Sequence, residues 1–266
     1  MNSSKFDSLY KKLNQEQRSA VDAIDGPVIV IAGPGTGKTS ILTLRISNIL
    51  RRTDTAPESI LALTFTESGV HSIRKKLVEI IGALGYRVPI HTFHSFCNDV
   101  IKSFPQEFPR IIGAQHVTDV DQISIIEKLI LETKFVALKP VGNPLYYLKA
   151  VLSFIKELKR EDVSPAEYKK HAKNFEKDLE NIEDFRHEKG AHKGEIKAKY
   201  KPTIRKIENS NEFAALYEKY QQALEEKRLY DYEDMIIEVL RELRENKNLI
   251  LELQETYQYI LADEHQ

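Results

Sequence analysis

The sequence predicts an α/β protein: a parallel sheet flanked by helices, with an all-helical subdomain inserted into it. Three observations carry that prediction. Short apolar runs alternate with helical stretches through the first part of the chain. One of these runs enters a glycine-rich turn that opens directly into a helix. From about Pro109 to Tyr230 the strand signals nearly vanish and long helical periodicity replaces them.

The elements follow in order. Residues 28–32, Val-Ile-Val-Ile-Ala, read as a buried strand, and residues 38–51 as the helix after the turn. A second strand is expected over 60–65, then a helix over about 67–82. A third strand at 88–93 leads into a helix from Ser95 to Ser103. Strands separated by helices imply parallel pairing with right-handed crossovers, and such sheets bind ligands beyond the carboxyl ends of their strands. Ala32, Phe65, Phe93 and Asp263 all fall at that edge. In the inserted region helical periodicity covers 122–134, 144–160 and 211–228, punctuated by Pro140, Pro144, Pro165 and Pro202. The expected division is therefore a core over 1–108, an insertion over 109–230 and a return to the core over 231–266. Within the insertion, residues 186–206 carry eight Lys/Arg against two Glu, a composition suited to phosphate contact and equally to a solvated helix face.

The chemistry concentrates in Ala32-Gly33-Pro34-Gly35-Thr36-Gly37-Lys38-Thr39. A strand, a glycine-rich turn and a helix N-terminus aim successive backbone N–H groups at one spot, the design of a phosphate-binding P-loop. Lys38 would reach the β and γ phosphates, and the Thr39 hydroxyl would take one position on Mg²⁺. The continuation from Ser40 to Ile46 keeps an apolar helical face. At the other end, residues 257–262 read as a strand running into Asp263-Glu264-His265-Gln266. An acidic pair at a strand's carboxyl end suits such a site: Asp263 can hold Mg²⁺, and Glu264 can polarise the water that attacks the γ-phosphate. The stop at Gln266 leads to the expectation of a piece of a longer protein.

Composition excludes several classes. With 266 residues the chain has room for two domains. Its net charge of −1 leaves nucleic-acid attraction to local patches. The single Cys97 excludes an internal disulfide framework and reads as a small core residue. No apolar run approaches a membrane span and no signal segment opens the chain, so no membrane partner and a soluble, cytoplasmic protein are expected.

Further motifs complete the pattern: Leu13-Asn14-Gln15-Glu16-Gln17 ahead of the first strand, Thr64-Phe65-Thr66 after the second, Thr92-Phe93-His94-Ser95 after the third, and Asp231-Tyr232-Glu233-Asp234. Together with the P-loop and Asp263-Glu264-x-Gln266 they resemble the UvrD/Rep/PcrA group of superfamily 1 DNA helicases, from Leu13 to Gln266. The resemblance implies a RecA-like P-loop NTPase core with its helical insertion. It implies an adenine-reading role for Gln17, ATP contacts over Ala32, Gly33, Pro34, Gly35, Thr36, Gly37, Lys38, Thr39 and Ser40, and a coupling role for Gln266. It implies that Thr64, Phe65, Thr66, Thr92, Phe93 and His94 face single-stranded DNA. Core packing remains open for Phe65 and Phe93, capping for His94, and an N-cap role for Asp231. The sequence departs from the family at Glu67-Ser68-Gly69-Val70, where Asn-Lys-Ala-Ala is common, at Ser40, where Arg is common, and at His265, where a bulky aromatic is frequent.

The resemblance further implies an ATP- and Mg²⁺-using motor domain of a DNA-translocating helicase serving repair or recombination, partnered by a second RecA-like domain of the same parent chain. That second domain would supply the arginines for hydrolysis, leaving this fragment nearly inactive alone. The alternatives are a P-loop phosphotransferase acting on a small molecule, and a non-motor P-loop ATPase or ATP-gated nucleic-acid-binding scaffold.

Overall fold

The computed structural model describes residues 3–33, 35–182, 185–186 and 194–263. The chain forms two compact units, 1–104 with 239–266, and 105–238. The sequence-based boundaries lay at 108/109 and 230/231; the change of unit instead falls at 104/105 and 238/239, the latter inside a continuous helix.

In chain order the first unit begins with α1 (Ser3–Tyr10), α2 (Gln15–Asp22), α3 (Lys38–Arg52), β1 (Ile60–Thr64), α4 (Glu67–Ile81), β2 (Ile90–Thr92) and α5 (Phe93–Ser103). The second contains β3 (Gln115–His116), α6 (Asp119–Glu132), α7 (Leu148–Arg160), α8 (Pro165–Glu180), α9 (Lys201–Glu226) and β4 (Leu229–Tyr230). Helix α10 (Tyr232–Glu245) carries the chain back to the first unit, which closes with α11 (Lys247–Thr256) and β5 (Tyr259–Ala262).

The first unit is α/β with parallel pairing, in the order β2-β1-β5. β1 is buried along its whole length because its apolar residues face cover on both sides of a parallel sheet. Its register sets Thr64 opposite Thr92 and Leu63 opposite Ala262, so the carboxyl ends of all three strands share one edge. Ile41, Leu44, Ile46 and Ile49 of α3 and Ile73, Leu77 and Ile80 of α4 supply the core against this sheet. Between α4 and β2 the chain turns tightly, and Arg74 donates to the carbonyls of Gly85 (2.8 Å) and Val88 (2.5 Å).

One expected strand is absent. Residues 28–31 carry no regular secondary structure: among the described residues no backbone–backbone hydrogen bond involves residues 27–31. Their side chains are exposed, Ile29 by 83% and Ile31 by 96%. A strand exists only through a ladder, and here a groove of about 590 Å³ separates this run from β5. The edge of β5 away from β1 has no strand partner among the described residues.

The second unit is helical around Ile126, Ile130, Val151, Ile155, Leu216 and Tyr217, with a two-residue parallel pairing of β3 and β4. Helices α6 and α8 open on capping boxes, Thr118 with Asp121 and Ser164 with Glu167. Helix α9 starts ten residues before its expected position, because Pro202 sits in its first turn, where proline costs nothing. Helix α7 starts at Leu148 rather than 144; turns closed by Asn143 and Leu145 precede it. The carboxylate of Glu212 accepts the N–H groups of Val136, Ala137 and Leu138 at 2.8–2.9 Å, pinning the loop after α6 onto α9.

Candidate functional site

Gly35 and Gly37 adopt φ of +77° and +90°, a left-handed backbone that only glycine takes without strain, and this brings the turn into α3. Gly37 caps the helix, its carbonyl accepting the N–H groups of Ser40 (2.8 Å) and Ile41 (3.0 Å). The N–H groups of the first turn have no intrahelical acceptor and open towards the loop, the arrangement that attracts an anion. Within the loop the Thr36 hydroxyl donates to the Gly33 carbonyl at 2.7 Å. The Lys38 ammonium reaches back to the Ala32 carbonyl at 3.5 Å.

Helix α3 is held in place by buried polar groups whose hydrogen bonds are met. Asn48 donates to the Val21 carbonyl at 3.0 Å and Arg45 to the Ala20 carbonyl at 2.7 Å, which fastens α2 alongside. Burial lowers the Arg45 guanidinium from its ordinary range, yet leaves it charged at any physiological pH. Helix α2 opens on Asn14, whose side chain accepts the Gln17 N–H at 2.8 Å while the Gln17 amide oxygen accepts the Asn14 N–H at 3.0 Å. The Gln17 amide nitrogen then donates to the Thr36 carbonyl at 3.2 Å. A glutamine ahead of the loop is thereby tied to the loop itself.

Across the sheet, the Asp263 N–H donates to the Leu63 carbonyl at 2.8 Å, which continues the ladder of β5 one residue further. The Thr39 hydroxyl donates to the Asp263 carboxylate at 3.3 Å, although the two lie 224 residues apart. This pair is a hard-oxygen donor set with room for phosphate oxygens and water, as Mg²⁺ requires. Among the described residues no group of three or more His, Cys, Asp or Glu forms a protein-only metal cage. Pro34, Glu264 and Gln266, expected at this site, lie outside the described residues, as does His265.

The neighbouring strand ends hold the remaining expected residues. Thr64 and Thr92 are buried; Thr92 caps α5, accepting the Ser95 N–H at 3.1 Å, and Thr66 caps α4, accepting the Gly69 N–H at 3.0 Å. Because Thr92 is itself the cap, α5 starts at Phe93 and the strand stops one residue before its expected end, while it begins two residues late, at Ile90. Phe65 is 66% exposed, so it is no core residue, whereas Phe93 and His94 are half-buried. Glu67 accepts the Thr92 hydroxyl at 3.3 Å and joins the two strand ends. Sequence reasoning had given that carboxylate no partner.

In the second unit, Asp231 and Asp234 cap α10 reciprocally: Asp234 N–H donates to Asp231 at 2.9 Å, and Asp231 N–H to Asp234 at 3.2 Å. Both also receive the ammonium of Lys159, at 2.5 and 2.8 Å, with all three side chains almost fully buried. Burial pushes the Asp231 carboxyl up to about 6 despite Lys159. Asp234 is buried as well, but the charges of Lys159 and Arg110 outweigh that and hold it below the usual carboxylate range. Sequence reasoning missed Lys159, although its spacing carries a signal. It continues the apolar stripe Leu148, Val151, Ile155 at helical intervals, where a cation demands a buried partner. Of the basic stretch, residues 187–193 lie outside the described residues, while Lys197, Lys199, Lys201, Arg205 and Lys206 border the start of α9.

Comparison with known proteins agrees with this geometry. The chain is 29% identical over 271 residues to a probable DNA helicase II homolog of Mycoplasma capricolum, covering 98% of this chain and 31% of that protein. It is 25% identical over 261 residues to the ATP-dependent DNA helicase PcrA of Staphylococcus epidermidis, and equally to that of Staphylococcus aureus, covering 98% of this chain and 30% of each. The chain thus spans about a third of the length of these relatives. Residues 13–266 match the family model described as the UvrD/REP helicase N-terminal domain, and the chain belongs to that family.

Proposed function

We propose that this chain is the ATP-binding first motor domain of an ATP-dependent DNA helicase that translocates on single-stranded DNA and unwinds duplex in repair or recombination. The observation that carries the proposal is the approach of Thr39 to Asp263 at 3.3 Å beside Lys38, where a P-loop meets the carboxyl edge of a parallel sheet. In this reading the phosphate chain lies over the N–H groups of residues 35–39, and the Lys38 ammonium turns from the Ala32 carbonyl to the β and γ phosphates. Thr39 and Asp263 hold Mg²⁺, which when bound neutralises charge on the transferring phosphoryl group. Glu264 polarises the attacking water. Gln17 exchanges its bond to Thr36 for the adenine edge, while Ser40 and Gln266 complete the pocket. Exposed Phe65 stacks on a base of the strand, with Thr64, Thr66, Thr92, Phe93 and His94 beside it.

The arginines that raise phosphoryl-transfer rates by ~10³–10⁵ come, in this reading, from a second RecA-like domain of a longer parent. The chain alone therefore binds Mg·ATP weakly, turns it over slowly and does not unwind DNA in the cytoplasm where its parent acts. The test is steady-state ATP hydrolysis with and without single-stranded DNA, on this chain and on the longer parent, beside the Glu264→Gln variant. Strong stimulation of the parent by DNA, lost in the variant, supports the proposal. Turnover indifferent to DNA overturns it in favour of a P-loop enzyme acting on a small molecule, and DNA binding without turnover makes the chain a scaffold. Unwinding by this chain alone overturns the two-domain part.

A further inference from the structure

Lys76 lies on α4, outside every motif so far assigned a ligand. Its ammonium donates to the Ser40 hydroxyl at 3.3 Å. Ser40 follows Thr39 in the first turn of α3, so this contact brings a second lysine to the helix end that Lys38 already serves. Lys76 is half-buried, and among the described residues no carboxylate lies within ion-pair distance of it. A cation partly removed from water and without a counter-charge is held at a cost, which an anionic ligand would offset. The nearest carboxylate by sequence on the loop side of α4, Glu67, is engaged with Thr92 instead. The first-turn N–H groups and Lys38 already attract anions to this place, and a hydroxyl is too weak an acceptor to satisfy an ammonium with three donors.

We propose that Lys76 is a nucleotide-binding residue: with a nucleoside triphosphate present, its ammonium moves from the Ser40 hydroxyl to the phosphate chain. Ser40 is then its positioning residue, holding the ammonium at the start of α3 while the loop is empty of phosphate. The proposal rests on the ATP reading above.

The experiment is calorimetric titration of the 266-residue chain with Mg·ATP and with inorganic tripolyphosphate, for the wild type and the Lys38→Ala, Lys76→Ala, Lys76→Arg and Ser40→Ala variants. Loss of one charge-assisted contact predicts an affinity about tenfold lower for Lys76→Ala with both ligands. Lys76→Arg stays within about threefold of wild type, because the charge and reach persist. Ser40→Ala does not lower affinity through Lys76, because the contact it removes is given up on binding. The dependence of affinity on salt also flattens in Lys76→Ala, which a merely structural lysine would not produce. If the wild type binds and Lys38→Ala does not, yet Lys76→Ala binds as tightly as wild type, this inference falls and the ATP reading stands. If Lys76→Ala lowers the melting temperature with affinity unchanged, Lys76 is only a brace between α4 and α3, and the inference falls again. If the wild type binds neither ligand, both fall.

Discussion

Lys159 and its two carboxylates decide more than any other residues in the second unit. An ammonium 1% exposed, bonded to Asp231 and Asp234, is held by partners whose own burial is offset chiefly by its charge. Replacing it by a methionine of similar volume leaves two carboxylates buried together, so Lys159→Met costs roughly 3–5 kcal/mol. The sign with pH is distinctive. Asp231, already raised to about 6 in the folded state, contributes stability that is present below its unfolded value and lost as pH rises through 6. Asp234, held low by Lys159, contributes stability that is present above its unfolded value and lost as pH falls through its folded one. Without Lys159 both shift upward, and urea unfolding midpoints of the variant rise from pH 7.5 to pH 5.5, narrowing the gap to wild type. A gap that widens in acid would contradict this account. Lys38 and Thr39 were named from a local motif and Asp263 from the strand end it follows, whereas the approach of Thr39 to Asp263 is made only by the fold. Lys159 was not legible, because its partners lie more than 70 residues away, and the exposure of Phe65 depends on which elements surround it.

At the scale of elements, the connection from α4 to β2 sets where the strand ends fall. An added Cβ at Gly85 would meet the Val78 backbone nitrogen at 2.9 Å and the Leu77 carbonyl carbon at 3.1 Å. Backbone cannot yield as a side-chain tip can, so Gly85→Ala costs about 1–3 kcal/mol, read as a lower melting temperature. An unchanged melting temperature would show that the turn has slack. The same scale explains what the sequence left illegible. Helix positions were readable from apolar periodicity and capping pairs such as Thr118 with Asp121, which are local. The run at residues 28–31 has the composition of a strand, but composition cannot supply a neighbour to pair with, and the structure leaves it without one. Pro202 misled in the opposite direction, since the same residue ends a helix or begins one according to which side carries the periodicity.

For the whole molecule, the one cysteine is a built-in reporter. Cys97 belongs to the first unit, is buried, and its thiol is pushed up to about 12 by that burial. It therefore reacts with a thiol reagent only when the first unit opens. On the proposed ATP reading, Mg·ATP is expected to slow that labelling by binding the closed form, and Lys38→Ala to remove the protection. Labelling that ignores Mg·ATP at saturating concentration would separate the loop from the stability of its unit.

Concentrated solutions of the chain are governed by a different property of the first unit. Among the described residues, 28–31 make no backbone pairing and carry exposed isoleucines, and the edge of β5 away from β1 has no strand partner, with Ile260 exposed. Such edges recruit one another between molecules, so the protein behaves as a self-adhesive colloid whose turbidity grows with concentration and with kosmotropic salt. The Ile29→Lys variant turns that adhesion into repulsion and lengthens the time to visible scattering, at a position outside the glycine-rich turn.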